Sequence, residues 1–218
     1  MFRRLALTLT LASLPAVSSA ANLSFTSATD FATAAGNTVL ESFEASTPGV
    51  RAVAPIVTPL LTVSSPSTPL GVQSAANSPS DGFGAFATDG TQYLSAYRAN
   101  QPVGTLTFSL AGPATAFGFD LTDIEVLGGH ISLSTDVGAF AGGITLETVG
   151  SNANNGSLRF FGITQDQAFS TVFLTIDGLD DAVGIDNIRV AAVPLPAPAW
   201  LLGAGLVALA TRGRRQRG

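Results

Sequence analysis

The chain has 218 residues with no Cys, no Lys and a single His, and only 11% of it is charged while 46% is hydrophobic. This excludes thiolate zinc sites, disulfide scaffolds and Schiff-base chemistry, while 14 Phe supply the apolar surface that an ordered domain needs. The net charge of −5 hides a division, because residues 22–192 hold all fifteen acids against four Arg, a local net of −11. So acidic a domain repels phosphate backbones, which argues against nucleic-acid binding and makes cations its natural charged partners.

Residues 1–21 begin with Arg3 and Arg4, continue through an apolar run from Leu5 to Val17 and end in Ser18-Ser19-Ala20-Ala21. That is the layout of a secretory signal peptide cleaved after Ala20 or Ala21, so residues 22–192 are expected to form one exported domain. In an oxidising compartment, a domain without Cys must be held by packing or by a metal.

The domain reads as all-β. A short helix is expected at Ala28 to Ala35, capped by Ser27 or Thr29 and stopped by Gly36. Strands are expected at Val39 to Phe43, Ile56 to Val63, Gln92 to Tyr97, Thr105 to Leu110 and Ala116 to Leu121, with the stretch from Pro59 to Ser80 supplying an edge strand and long loops. Further strands follow at His130 to Ser134, Ile144 to Val149, Leu158 to Ile163, Thr171 to Ile176 and Val183 to Val190. Turn signals at Gly128-Gly129, Asn155-Gly156 and Asp177-Gly178 separate them. The pattern implies an antiparallel two-sheet sandwich, a jelly roll, and a closed barrel would also satisfy it.

Several constellations bear on chemistry. Glu41 and Glu44 lie in the first of these strands and Asp186 in the last, and terminal strands of a sandwich often lie side by side. Glu44 and Asp186 are therefore candidate ligands, with backbone oxygens, of a structural calcium; the alternative is solvated charges on Glu41 and Glu44 with a bulge at Asp186-Asn187. Asp177-Gly178-Leu179-Asp180-Asp181 lacks the spacing of a calcium loop and reads as a solvated hairpin turn. His130 alternates away from Ile131 and Leu133 and is expected at the surface; a catalytic triad would have to use it with Asp120, Asp123 or Asp136, and no nucleophile elbow accompanies it. Tyr93 and Tyr97 share one strand face and are candidates for a small sugar-stacking platform, or else a half-buried pair. Paired carboxylates for glycoside hydrolysis are not defined by sequence spacing, so no catalytic residue is assigned.

The chain closes with Val193-Pro194-Leu195-Pro196-Ala197, an uncharged stretch to Ala210, and Arg212, Arg214, Arg215 and Arg217. The three Pro hold the start of this segment extended, and the apolar run makes a short transmembrane helix that the Arg cluster fixes with its end in the cytoplasm. Residues 193–218 resemble the PEP-CTERM sorting signal in its Val-Pro-Leu-Pro-Ala variant, Leu195 standing where the commoner form has Glu. The resemblance implies an exported bacterial protein anchored transiently in the inner membrane. An exosortase-type membrane peptidase would process it near Pro194 to Ala197, leaving it at the cell surface, outer membrane or extracellular matrix. Glu41-Ser42-Phe43-Glu44, Ala116 to Asp120, Arg159 to Ile163 and Gly184 to Ile188 also resemble, over residues 38–190, a domain common in such proteins, implying a lectin-like sandwich without catalytic residues. The expected role is thus non-enzymatic association with exopolysaccharide or biofilm, the rivals being a secreted glycan- or ester-processing enzyme and a structural matrix protein without ligand.

Overall fold

The computed structural model describes residues 21–74, 84–124, 127–149, 156–179 and 182–193. The expected signal segment to Ala20, the sorting residues Pro194, Leu195, Pro196 and Ala197, the Arg cluster, and Asp180 and Asp181 lie outside them. Among the described residues no helix is long and apolar enough to cross a membrane.

Among the described residues the fold is antiparallel β with one short helix. Its strands are β1 (Leu23–Phe25), β2 (Val39–Glu41), β3 (Ile56–Val57), β4 (Leu61–Ser64), β5 (Leu70–Ser74) and β6 (Gln92–Tyr97). They continue with β7 (Gly104–Thr122), β8 (Leu127–Thr135), β9 (Ile144–Val149), β10 (Leu158–Leu179) and β11 (Ala182–Ala192). Helix α1 (Ala28–Ala35) is capped by Ser27, whose hydroxyl accepts from the Asp30 N–H, and ends at Gly36 with φ 68°. Cap and stop residues stand where the sequence puts them.

Two strands run the length of the molecule, and each combines two segments that read as separate strands in the sequence. Residues 104–109 of β7 pair with 171–176 of β10, whereas residues 114–122 pair with 158–169, and the register breaks between Thr164 and Thr171. Pro113, without an N–H, sits at this break. One half of the sheet is then β3, β4, β7, β10, β8 and β9; the other is β5, β6, β11, β7, β10 and β1, with β2 on β11. Both halves feed one core, and Phe108 of the first meets Phe117 of the second at 5.4 Å between ring centroids.

Other turn signals are overridden. Gly128-Gly129 lies inside β8 and Asp177-Gly178 inside β10, where Asp177 faces His130 across the ladder. The expected hairpin after Asp177 is not formed: β10 passes to β11, which pairs with β7, β6 and β2 instead of β10. Ile56 to Val63 is a hairpin, not one strand, because Pro59 cannot continue the ladder and the Thr58 N–H turns back to the Leu61 carbonyl at 2.9 Å.

Alternation assigns the faces of the second half. Phe117, Phe119 and Phe161 point to the core, whereas Gly118, Asp120, Phe160, Gly162, Gly184 and Asp186 point outward. Two lids cover this outer face. Phe31 of α1 sits over the cross-strand pair Gly118 and Gly162, where an added Cβ would meet its ring at 3.0 and 2.6 Å, and against Phe160 at 5.4 Å. Residues 84–91 cover the part around Asp120, Thr122, Gly184 and Asp186.

Candidate functional site

The loop lid is held by acids from two strands, β7 and β11, and from the segment after β2. Asp186 is fully buried; its Oδ2 accepts the N–H groups of Thr88 (2.7 Å) and Asp89 (2.8 Å), and its Oδ1 accepts that of Asn187 (2.7 Å). Opposite it in the ladder, Asp120 accepts the Thr88 hydroxyl at 2.8 Å and the Asn187 side-chain amide at 2.9 Å. Asn187 reaches Asp120 because it adopts φ 53° at a bulge between Asp186 and Arg189. Just beyond β2, Glu44 takes the far end of the loop, its Oε1 accepting the N–H groups of Thr91 and Gln92, both at 2.6 Å, and its Oε2 the Thr91 hydroxyl. Gly90, with φ 66°, is required between these anchors, since a Cβ there would stand 2.5 Å from the Glu44 carboxylate.

The two carboxylates differ electrostatically. Burial raises the Asp186 pKa to about 6 against the opposing pull of its three backbone donors. The Thr91 N–H, reinforced by the Gln92 N–H and Thr91 hydroxyl, holds Glu44 below its ordinary value despite some desolvation.

The first and last expected strands do pair, Glu41 facing Ile188, and both candidate calcium ligands converge on residues 88–92. Their oxygens are engaged by N–H and O–H donors of that loop, which supply the positive partial charge a cation would bring. Among the described residues no group of three or more metal-ligating side chains gathers. The bulge at Asp186-Asn187 is present, but Glu41 and Glu44 are not simply solvated: Glu41 accepts the Phe43 N–H at 2.8 Å.

The tyrosine platform is corrected. Tyr93 is buried, because β6 lies between β5 and β11 and is covered on both faces, and half-buried Tyr97 has the Arg51 guanidinium 5.8 Å from its ring centroid. His130 is exposed, as its alternation requires. The acids near it in sequence work elsewhere: Asp123 accepts the Gly156 N–H at 3.0 Å, and Asp136 those of Ser170 and Thr171 at 3.1 and 3.2 Å. Thr88, Asp89, Thr91 and Gln92 escape sequence reasoning because all four join the site through backbone N–H groups, to which Thr88 and Thr91 add their hydroxyls. The available signal was Asp120 and Asp186 themselves, acids set within otherwise apolar strands.

No family model and no curated protein matches the chain. Among solved structures, the cleaved K2 adhesin domain of Lys-gingipain is similar at 14% identity and a TM-score of 0.47, over 71% of this chain and 99% of that one. Two variants of CBM29-2, a family 29 carbohydrate-binding module, one complexed with mannohexaose, are similar at 10% identity and a TM-score of 0.36, over 72% of this chain and 94% of theirs. At this depth the likeness carries no residue role from those proteins to this chain.

Proposed function

We propose that the chain is an exported, non-enzymatic protein of the cell surface or extracellular matrix, with a jelly-roll, lectin-like domain that associates with exopolysaccharide. The supporting observation is an antiparallel β domain without Cys, packed on one main core, that lies between the sorting segments expected from the sequence. The Ala21 carbonyl accepts the Thr164 hydroxyl at 2.7 Å, and the Asn22 side chain accepts the Asp166 N–H at 3.0 Å. The last strand, β11, ends at Ala192, and the Val193 N–H donates to the Pro113 carbonyl at 3.0 Å. Cleavage after Ala20 and near Pro194 to Ala197 would leave these bonds in place, whereas cleavage after Ala21 would remove the first and keep that of Asn22. Exosortase-type processing follows from the same tail. Intact-mass measurement of the protein released by producing cells tests it: termini at residue 21 or 22 and between 194 and 197 are expected, and a full-length C-terminus overturns the sorting reading.

The domain's net charge of −11 lets it engage an acidic polysaccharide only through neutral sugars or a bridging divalent cation such as calcium. Calorimetric titration of the released protein with the producer's own exopolysaccharide, with calcium and then with chelator, tests this half. Saturable heat supports glycan association, and its loss with chelator assigns calcium. Burial of Tyr93 favours a second reading, a structural matrix protein without a sugar ligand, and absence of heat in both titrations selects it.

A further inference from the structure

Among the described residues the strand β2 pairs only with β11, and along this segment lies a groove of about 390 Å³ whose lining includes Val39, Leu40, Glu41, Glu44, Pro59 and Leu60. Val39 and Leu40 are 55% and 47% exposed, so an edge strand of a compact domain carries adjacent large apolar side chains into solvent. The groove would hold on the order of a dozen waters at ~30 Å³ each, which is room for apolar side chains. It has no aromatic lining to stack a sugar, and it carries two carboxylates on a domain of net charge −11. Glu44 keeps its charge there because Thr91 and Gln92 donate to it. An acidic partner, including a second copy of this domain, meets repulsion at this edge, whereas an extended segment alternating apolar and basic residues meets opposite charge, apolar contacts and, among the described residues, a strand edge that no other strand pairs.

We infer that the β2 edge and its groove form a docking site for an extended peptide strand of alternating apolar and basic residues, taken up by strand addition. This is independent of glycan association and of processing at the chain ends. The test uses the full chain in phosphatidylcholine nanodiscs, with a fluorescent peptide of three Arg-Val repeats as probe, a Glu-Val peptide as control and empty nanodiscs as blank. Saturable binding of the Arg-Val peptide alone is expected, weakening as salt rises, with slowed hydrogen exchange at Val39–Ser42. Leu40→Lys, at an exposed position, should weaken binding at least tenfold while leaving the circular dichroism unchanged; should it not fold, Val39→Lys carries the same test. Equal binding of the Glu-Val peptide, binding indifferent to the Lys variant, or no saturable binding overturns the proposal. So does protein-concentration-dependent protection of 39–42 without peptide, which would assign the edge to self-association.

Discussion

The outer face of β7, β10 and β11 is covered by two lids made in opposite ways. Helix α1 covers one end with an apolar knob, Phe31, set into the hollow left by Gly118 and Gly162 and bordered by Phe160 and Phe25. Residues 84–91 cover the other end mainly through polar contacts, their N–H groups meeting the carboxylates of Asp186 and, at the far margin, Glu44. The helical lid follows local rules of cap, stop and buried aromatic. The loop lid depends on acids lying 98 and 47 residues away in sequence. Packing makes the first lid indifferent to pH, whereas desolvated and solvated carboxylates make the second respond to it in two opposing directions.

Substitutions can break this contrast. Phe31→Ala should cost the most, about 3–5 kcal/mol for a buried aromatic in a fitted hollow, with the same cost at pH 5 and pH 7 in urea unfolding. Asp186→Ala should follow at roughly 3 kcal/mol, because three backbone N–H groups lose their acceptor at about 1 kcal/mol or more each. Its effect should change with pH.

Asp186→Asn sharpens that point. With a folded-state pKa of about 6 against an ordinary 3.8, the folded protein retains a proton that the unfolded chain releases between those values. This contribution is therefore full below 3.8 and lost as pH rises through 6. The stability difference between wild type and the Asn variant should move in favour of the wild type from pH 7 to pH 5; a constant difference would show that burial does not govern this carboxylate. Glu44 has the opposite sign: its depressed pKa gives a contribution present above 4.5 that disappears as pH falls through the folded-state value.

Gly90→Ala should cost roughly 1–2 kcal/mol for the left-handed backbone, with added displacement of Glu44, and is checked by thermal unfolding. The smallest effect is expected for Glu44→Gln, read as faster hydrogen exchange at Thr91 and Gln92 with little movement of the global transition. Equal acceleration at Phe31 would show that the two lids open together.

These lids also mark what could be read from the sequence. Alternation found most of the strands, and Ser27 and Gly36 bounded the helix, because those signals act within a few residues. Asn155-Gly156 and Asp177-Gly178 looked equivalent as turn dipeptides, yet Asp177 pairs with His130 inside β10, since long cross-strand pairing outweighs a local turn preference. The joining of 105–110 to 116–121 in one strand was hidden by Pro113, which reads as a break and serves as the bend between two sheet halves. Glu44 and Asp186 stood out as a meeting of acids from distant strands, and they do share a neighbourhood. Their partners were illegible, because a backbone N–H leaves no mark in the residue type that carries it.

The register break in β7 and β10 also orders the domain from one end to the other. Asn22 lies beside Asp166 and Val193 beside Pro113, so both sit at that break. From Ala192 back to Gly184, β11 runs eight residues, about 26 Å at ~3.3 Å each, toward the loop lid. Were it tethered at either end, the domain would carry Asp186 and its loop away from the support and hold Val39, opposite Val190, near it.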